Sequence, residues 1–311
     1  MSRDAGSGGT AGGDDAGRGS APLDPRRNPF RADLAAQSLY GKVNAPRYVS
    51  GKRLQVVRPA VPIRRRPSAG VGFETEVIFG ETVTVYDEAE GWAWGQLDQD
   101  GYVGYLPADT LSPEVRSTTH RVKSLGTFVY PAADIKSPPL MHLSINARLA
   151  VVAQEGPFAR LESGGYIVGR HIAELARPER DFVEIAERMV GTPYLWGGKT
   201  RVGIDCSGLV QVALTAAGVA CPRDSDMQQA ELGSNILVPE ELDGLERGDL
   251  VFWKGHVGIM IDGLMLAHAN AHHMEVVIET LHDAVARNAK AGLSIAAVKR
   301  LPTAGPTARV A

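Results

Sequence analysis

A cysteine followed by a helical pattern is the first candidate for chemistry in this sequence. Apolar residues recur at helical spacing from Cys206 and stop at Gly218. The pattern predicts a helix with the thiol in its first turn and with Asp205 and Ser207 as candidate caps. Unpaired backbone N–H groups at a helix start favour a negative charge, so a thiol there is suited to act as a nucleophilic thiolate.

The second cysteine, Cys221, lacks these features. It follows the predicted helix, precedes a proline and has no evident base nearby, so we expect a small core residue. A disulfide between the two cysteines would be compatible with their spacing but not with the reducing compartment expected below.

Two histidines lie on a predicted β-hairpin. Asp262 and Gly263 separate two apolar runs, which is a strong hairpin signal. A two-residue loop of Asp262 and Gly263 would place His256 and His268 on opposite faces. A three-residue loop beginning at Ile261, with Gly263 left-handed, would place the histidines directly opposite each other, with Cβ atoms about 4.5–5.5 Å apart. We predict the three-residue loop.

These three side chains suggest a division of roles. His256 would take the proton of the Cys206 thiol and return it to a leaving amine. His268 would hold the outer nitrogen of His256 and fix its orientation. Zinc is the alternative for one cysteine and two histidines, but no fourth ligand with metal-site spacing is evident, so neither a metal nor a cofactor is predicted.

The elements that must position these residues indicate an α+β protein of several domains, as its length of 311 residues also favours. Short strands with glycine turns predict a small β-barrel, preceded near Phe30–Val49 by a helix and a strand. By its turn spacing this segment resembles a bacterial SH3-like barrel. A weaker copy follows, because Gly101 and Tyr102 recur as Gly165 and Tyr166 at an offset of 64 residues. The predicted parts are a disordered tail (1–28), a first SH3-like domain with an N-terminal extension (29–113), a second SH3-like domain (114–177), a catalytic domain (178–302) and a tail (303–311).

Composition excludes several classes of function. Hydrophobic residues make up 44% and charged residues 22% of the chain, and the net charge of -3 does not favour nucleic acid or an anionic membrane. The first twenty residues contain no apolar run, and no segment reaches the roughly 18 apolar residues of a membrane span. We therefore expect a cytoplasmic monomer that binds neither nucleic acid nor membrane.

Five segments of the C-terminal part occur together in an order that resembles the NlpC-type peptidases, which have a papain-like core and a Cys-His-polar triad. The segments begin at Pro193, Asp205, Gly248, Gly255 and Ala267 and read PYLWGG, DCSGLV, GDLVF, GHVGI and AHA. The two SH3-like domains narrow the resemblance to the subgroup that cleaves γ-D-glutamyl to diamino-acid bonds in murein peptides with a free N-terminal L-Ala.

The resemblance implies a triad of Cys206, His256 and His268. Tyr194 would lie beside the thiolate and help the backbone N–H at the helix start to stabilise an oxyanion. The implied substrate is a small murein peptide, and the implied setting is recycling of imported wall peptides.

The resemblance also implies the substrate contacts. Asp205 would pair with the N-terminal ammonium, while Trp196, Ser207 and Arg223 would line the pocket, with Arg223 suited to a substrate carboxylate. The first SH3-like domain would cover the site.

Glu76 and Tyr102 are the candidates from that first domain. For these two, an exposed strand glutamate and a barrel-packing tyrosine are the structural alternatives. Two other functions stay open for the whole chain: a wall-peptide-binding protein with an inert catalytic domain, and an amidase or acyltransferase on the same core.

Overall fold

The computed structural model describes residues 23–237 and 242–302, which form an N-terminal segment and three β-rich units. We call the three units the first β unit (residues 52–112), the second β unit (120–174) and the C-terminal unit (182–300). Within the described residues, no helix combines the length and the apolar character that a bilayer crossing requires.

The N-terminal segment is built from short strands and a turn. Its strands are β1 (Phe30–Arg31), β2 (Leu34–Ala36) and β3 (Tyr48–Val49), with one 3₁₀ turn at Gln37–Leu39. β2 pairs antiparallel with β1 and parallel with β3. The predicted helix within Phe30–Val49 is therefore wrong, because all three residues of β2 are buried, as in a covered strand, and Gly41 and Pro46 interrupt the segment between β2 and β3.

The disordered tail was predicted too long. The backbone N–H groups of Arg27 and Asn28 donate to the Asp24 carbonyl, so residues 24–28 form an ordered turn. Residues 1–22 and the predicted tail of 303–311 lie outside the described part of the chain. The turn is held by contacts with other units, which a local composition cannot indicate.

The first β unit is an antiparallel sheet. Its strands are β4 (Lys52–Val56), β5 (Ala60–Arg64), β6 (Phe73–Ile78), β7 (Thr82–Ala89), β8 (Trp92–Leu97), β9 (Val103–Pro107) and β10 (Leu111–Ser112). They are arranged in the order β10-β4-β7-β8-β9-β5-β6. Alternate residues such as Val83 and Val85 face a core of their own.

The second β unit has a separate core and two small sheets. Its strands are β11 (His120–Val122), β12 (Gly126–Tyr130), β13 (Met141–Ser144), β14 (Arg148–Leu149), β15 (Val151–Glu155), β16 (Phe158–Leu161), β17 (Tyr166–Val168) and β18 (Ile172–Glu174). Gly101 and Gly165, which the repeat pairs, both adopt a positive φ, at 77° and 86°. The shared backbone conformation agrees with the offset found in the sequence.

The C-terminal unit packs helices on both faces of an antiparallel sheet in the order β21-β26-β22-β23-β24-β25. Helices α1 and α2 contribute to one core, and α4 contributes to a second core across the sheet. The helices are α1 (Phe182–Arg188), α2 (Cys206–Ala216), α3 (Ser225–Glu231) and α4 (Leu281–Lys290). The strands are β19 (Lys199–Thr200), β20 (Gly203–Ile204), β21 (Ser234–Asn235), β22 (Leu250–Trp253), β23 (His256–Met260), β24 (Met265–Asn270), β25 (Glu275–Thr280) and β26 (Ile295–Arg300).

The hairpin of β23 and β24 has a register different from the predicted one. Met260 pairs with Leu266, and the loop is Asp262–Leu264 rather than a loop beginning at Ile261. Its three-residue length agrees with the prediction, but Gly263 is not left-handed. Continuing this register places His268 opposite Gly258, so the two histidines share a face as diagonal neighbours instead of lying directly opposite.

Candidate active site

The nucleophile candidate lies in the first turn of α2, as predicted. Asp205 is the N-cap, and its carboxylate accepts the Gly208 N–H at 2.7 Å. Cys206 is 8% exposed, and the backbone N–H groups of Val257 and Ser207 point toward its sulfur. On β23, only Ile259 and Met260 pair with residues of β24. The N–H of Val257, the residue after His256, is therefore free to face the Cys206 thiol.

Burial controls the charge of this thiol. It raises the pKa of Cys206 to about 12, and the adjacent Asp205 adds to the effect, while the two backbone N–H groups oppose it. The helix start was predicted to favour a thiolate. Burial outweighs that influence, so Cys206 is a protonated thiol that needs a base.

The base candidates form a hydrogen-bonded chain. His256 Nε2 lies 2.8 Å from His268 Nδ1, and His268 Nε2 lies 2.7 Å from Oε1 of Glu279 on β25. Arg287 on α4 donates to both oxygens of Glu279, one of them at 2.7 Å. The predicted contact between the histidines is therefore present, although it forms across a diagonal.

Both imidazoles are neutral in this environment. Burial lowers the pKa of His256 to about 3, with a further contribution from His268. Burial also lowers the pKa of His268 to about 4, although Glu279 opposes the shift. Burial alone would raise the pKa of Glu279, but the hydrogen bonds from Arg287 and His268 prevail and lower it to about 2, so this carboxylate is ionised.

Tyr194 lies half-buried against the same core as Cys206. Burial, and after it the charges of Cys206 and Asp205, raise the pKa of Tyr194 to about 12. The phenol therefore keeps its proton and can donate a hydrogen bond near the thiol, which fits the oxyanion role that the resemblance implied.

Asp205 and Arg223 form a buried ion pair. Arg223 NH1 and NH2 donate to the two carboxylate oxygens at 3.0 and 2.8 Å, and the remaining donors contact Thr75, Ser207 and Gly198. Arg223 is 1% exposed, and no donor is left for a substrate carboxylate. The substrate role predicted for Arg223 is therefore contradicted by the structure.

The carboxylate of Asp205 is equally occupied. Besides the two Arg223 contacts, it accepts the N–H of Gly197 at 2.8 Å, the N–H of Gly208 and the hydroxyl of Ser207. Five donors already occupy this carboxylate, so a substrate ammonium at Asp205 would have to share or displace one of them, and the predicted pairing stays a prediction.

Two further pocket candidates have different environments. The Ser207 hydroxyl is buried between Asp205 and Arg223, so only its backbone N–H faces the sulfur. The Ser207 hydroxyl thus belongs to the ion pair, and the place of Ser207 in the substrate pocket stays a prediction. Trp196 is 66% exposed beside Gly197, where its ring is free to contact a ligand.

The first β unit reaches the site through β6. Glu76 is 8% exposed, and its Oε2 accepts the Lys199 N–H at 2.9 Å. Among the described residues, no group donates to its other oxygen. Burial raises the pKa of Glu76, against the influence of Lys199 and Arg223. Glu76 is therefore not an exposed strand residue but a buried carboxylate at the loop before α2.

Phe73, also on β6, packs on Gly197 so closely that a Cβ there would lie 2.7 Å from the ring. Gly197 also adopts a φ of 77°. Both this backbone conformation and the close approach of Phe73 therefore require glycine at this position.

Tyr102 has the packing role that was the alternative to substrate binding. It is 4% exposed in the core of the first β unit, and its hydroxyl donates to Asp224 at 3.2 Å. Tyr102 thus joins the first β unit to α3 and does not present its hydroxyl to the thiol.

The sequence interpretation missed several participants. Glu279 and Arg287 complete the histidine chain, Thr75 on β6 accepts from Arg223, and the Lys199 N–H joins the segment before α2 to Glu76 on β6. Glu279 alone had a usable signal, since it precedes a Thr280 cap and lies on a strand adjacent to that of His268. Within the described residues, no cluster of three or more potential metal ligands occurs.

A buried thiol at a helix start, a neutral imidazole chain and backbone N–H donors can together perform acyl transfer. The fold and this site define a cysteine peptidase with a papain-like core, preceded by SH3-like β structure.

Comparison with known proteins identifies the group. Residues 191–292 match the model of the NlpC/P60 family, and residues 63–111 match that of the bacterial dipeptidyl-peptidase Sh3 domain. The chain therefore carries an NlpC/P60 peptidase domain behind a bacterial SH3 domain.

Relatives with both regions are moderately similar. A γ-D-glutamyl-L-lysine dipeptidyl-peptidase of Bacillus subtilis (strain 168) is 26% identical, with 68% of this chain and 77% of the relative covered. Dipeptidyl-peptidase 6 of Lysinibacillus sphaericus is 28% identical over 64% of this chain and 70% of its own length. A crystal structure of an NlpC/P60 family protein from Bacillus cereus ATCC 10987 shares the fold, with a TM-score of 0.67, 20% identity and coverage of 80% of this chain and 100% of the other.

Proposed function

We propose that this cysteine peptidase hydrolyses the γ-D-glutamyl to diamino-acid bond of murein peptides that carry a free N-terminal L-Ala. Support comes from the names of two relatives, which describe dipeptidyl-peptidases, one of them γ-D-glutamyl-L-lysine-specific. The observation that carries the proposal is the buried Glu76 carboxylate, which the first β unit contributes to the loop before the nucleophile.

In the proposed reaction, His256 takes the proton of the Cys206 thiol as the sulfur attacks the γ-carbonyl carbon of D-Glu. The resulting oxyanion accepts the Ser207 N–H and the Tyr194 phenol. Collapse expels the diamino acid, whose amine takes the proton from His256. Water, activated by His256, then cleaves the thioester, which releases L-Ala-γ-D-Glu and restores the thiol.

Glu76 is the proposed partner of the substrate ammonium, in place of Asp205. One of its oxygens has no protein donor among the described residues, and its buried charge has no direct cationic partner. An ammonium would supply the missing charge and desolvated hydrogen bond. Because β6 closes this end, the cleft would accept a free dipeptide end and exclude a glycan-linked stem.

The test is product release from L-Ala-γ-D-Glu-diamino acid tripeptides. We expect the wild type to release L-Ala-γ-D-Glu and Cys206→Ala to release none. Glu76→Gln should lower kcat/KM roughly 10- to 100-fold, since a charge-assisted hydrogen bond contributes about 1.5–3 kcal/mol. Glu88→Gln, an exposed change on the same β unit, is the matched control and should be silent.

N-acetylated tripeptide provides the decisive comparison. Wild-type activity equal on acetylated and free peptides would refute amine recognition at Glu76. Binding of the free peptide without turnover would instead favour an inert binding protein. A product other than the dipeptide and the diamino acid would favour an amidase or acyltransferase.

We propose further that the enzyme is a monomer that acts in the cytoplasm on imported peptides. Both cysteines are free and buried, as suits a reducing compartment. Cell fractionation tests the location, and light scattering of the full chain tests the oligomeric state.

A further inference from the structure

The histidine chain continues beyond its second imidazole to a charged end. His268 is 1% exposed, and its Nε2 lies 2.7 Å from the Glu279 carboxylate, which Arg287 anchors through both oxygens. An ionised carboxylate accepts hydrogen bonds and donates none. The proton of neutral His268 is therefore on Nε2, facing Glu279.

This placement determines the state of the next ring. With its proton on Nε2, His268 presents a lone pair at Nδ1, which is 2.8 Å from His256 Nε2. His256 Nε2 must then carry the proton of that ring, because two lone pairs cannot face each other at this distance. Nδ1 of His256 is left as the unprotonated nitrogen.

One neighbour competes for the same atom. The Asn270 amide nitrogen lies 3.0 Å from His268 Nε2, and the Asn270 oxygen is held by the His273 N–H at 2.8 Å. The contact with Glu279 is shorter and charge-assisted, so it decides where the His268 proton resides.

We propose that Glu279 is a positioning residue that acts through His268 to fix His256 as the Nε2–H tautomer, leaving Nδ1 as the atom that accepts the Cys206 proton. The two-histidine arrangement alone would not select a tautomer, since the pair can be protonated in either direction. The Glu279 carboxylate selects one of these two arrangements because it can only accept a hydrogen bond from His268. Its negative charge also stabilises the histidine chain when His256 becomes an imidazolium.

The groups that face the chain come from four elements. Glu279 faces it from β25, Arg287 from α4 and His273 from the loop after β24, and the Cys206 sulfur on α2 faces the Val257 N–H next to His256. Of these, Glu279 favours protonation of both imidazoles, whereas Arg287 disfavours it. Removal of the Glu279 charge should therefore make His256 harder to protonate.

The first experiment reads the tautomer directly, without substrate. Long-range ¹H–¹⁵N spectra of the full chain at pH 7 should show His256 with a protonated Nε2 and His268 with a protonated Nε2. In Glu279→Ala, the His268 tautomer should become mixed or inverted while the backbone spectrum is retained. A His256 protonated at Nδ1 in the wild type would overturn the proposal, whatever the substrate of the enzyme.

The second experiment is a pH profile of kcat/KM and rests on the proposed function for its substrate. Glu279→Gln should lower the maximum roughly 10- to 100-fold, as for other outer partners that orient a functional histidine. Its acid limb should move to lower pH, and Glu279→Asp should restore part of the activity. Glu275→Gln, an exposed change on the same strand, is the control and should match the wild type.

The outcomes separate positioning from folding. A lower maximum with an unmoved acid limb and unchanged histidine spectra would mean that Glu279 is only structural, and the proposal would fail. If the wild type shows the expected tautomers but does not cleave the murein tripeptide, the proposed substrate is refuted. The tautomer assignment would still hold.

Discussion

At the scale of residues, burial sorts the ionisable groups of the site into two kinds. Arg223 and Asp205 form a buried ion pair in which every guanidinium donor is bonded. His256 and His268 stay neutral because one charged imidazole would have to be buried beside another ring. Residue types alone do not separate these cases, since Arg223 suits a substrate carboxylate as well as Asp205.

The neutral histidines predict a loss of stability in mild acid. Histidine in the unfolded chain titrates near 6.5, whereas burial lowers the folded pKa values to about 3 for His256 and about 4 for His268. Between these limits the unfolded state binds more protons, so the free energy of unfolding falls as the pH drops from 6.5 toward 4. Urea denaturation at several pH values measures this slope.

The variant His268→Asn removes the titration of His268 and should make the slope shallower. His282→Asn changes an exposed histidine on α4 and serves as its control, with the wild-type slope expected. An equally steep slope in all three proteins would contradict the assignment of buried neutral imidazoles.

At the scale of elements, local patterns predicted what local forces determine. Helical periodicity and an aspartate before it located α2 and its cap, and alternation located the strands of the first β unit. The hairpin register was missed because the Asp262 side chain accepts the N–H groups of both Leu264 and Met265, each at 2.8 Å. This turn moves the loop one residue toward the C-terminus and makes the histidine contact diagonal.

The same turn gives an element-scale prediction. Asp262→Ala removes both side-chain hydrogen bonds and should destabilise the protein by about 1 kcal/mol, with a larger proportional loss of kcat/KM because the turn sets the register of His256 and His268. Asp262→Asn retains an acceptor and should keep most of both. Thermal unfolding and steady-state kinetics measure the two effects. Wild-type kinetics in the Asp262→Ala variant would show that this turn does not control the geometry of the two histidines.

At the scale of the whole molecule, contacts distant in sequence assemble the site. Arg26 donates to Asp224 and Asp226 at the start of α3, and its carbonyl accepts the Val103 N–H. The N-terminal turn thus binds the first β unit and the C-terminal unit at once. No local pattern signals such a contact, which explains why residues 24–28 were assigned to a disordered tail.

A buried ion pair joins the first β unit to the nucleophile loop. Lys199 and Glu81 have side chains that are each 5% exposed, with Nζ 3.2 and 3.3 Å from the two carboxylate oxygens. The Lys199 backbone N–H also binds Glu76, so this pair supports the proposed ammonium site. Breaking one half of a buried pair leaves an uncompensated charge, which costs about 3–5 kcal/mol.

Lys199→Met should therefore destabilise the protein by about 3–5 kcal/mol and raise KM for the free-amine tripeptide, because the Lys199 charge that favours ionised Glu76 is lost although the backbone N–H remains. The double variant Lys199→Met/Glu81→Gln removes both charges and should recover much of the stability, giving a large coupling energy in a double-mutant cycle. Lys123→Met, at an exposed position of the second β unit, is the matched control. Additive effects of the two single changes would show that the ion pair does not hold the first β unit against the site.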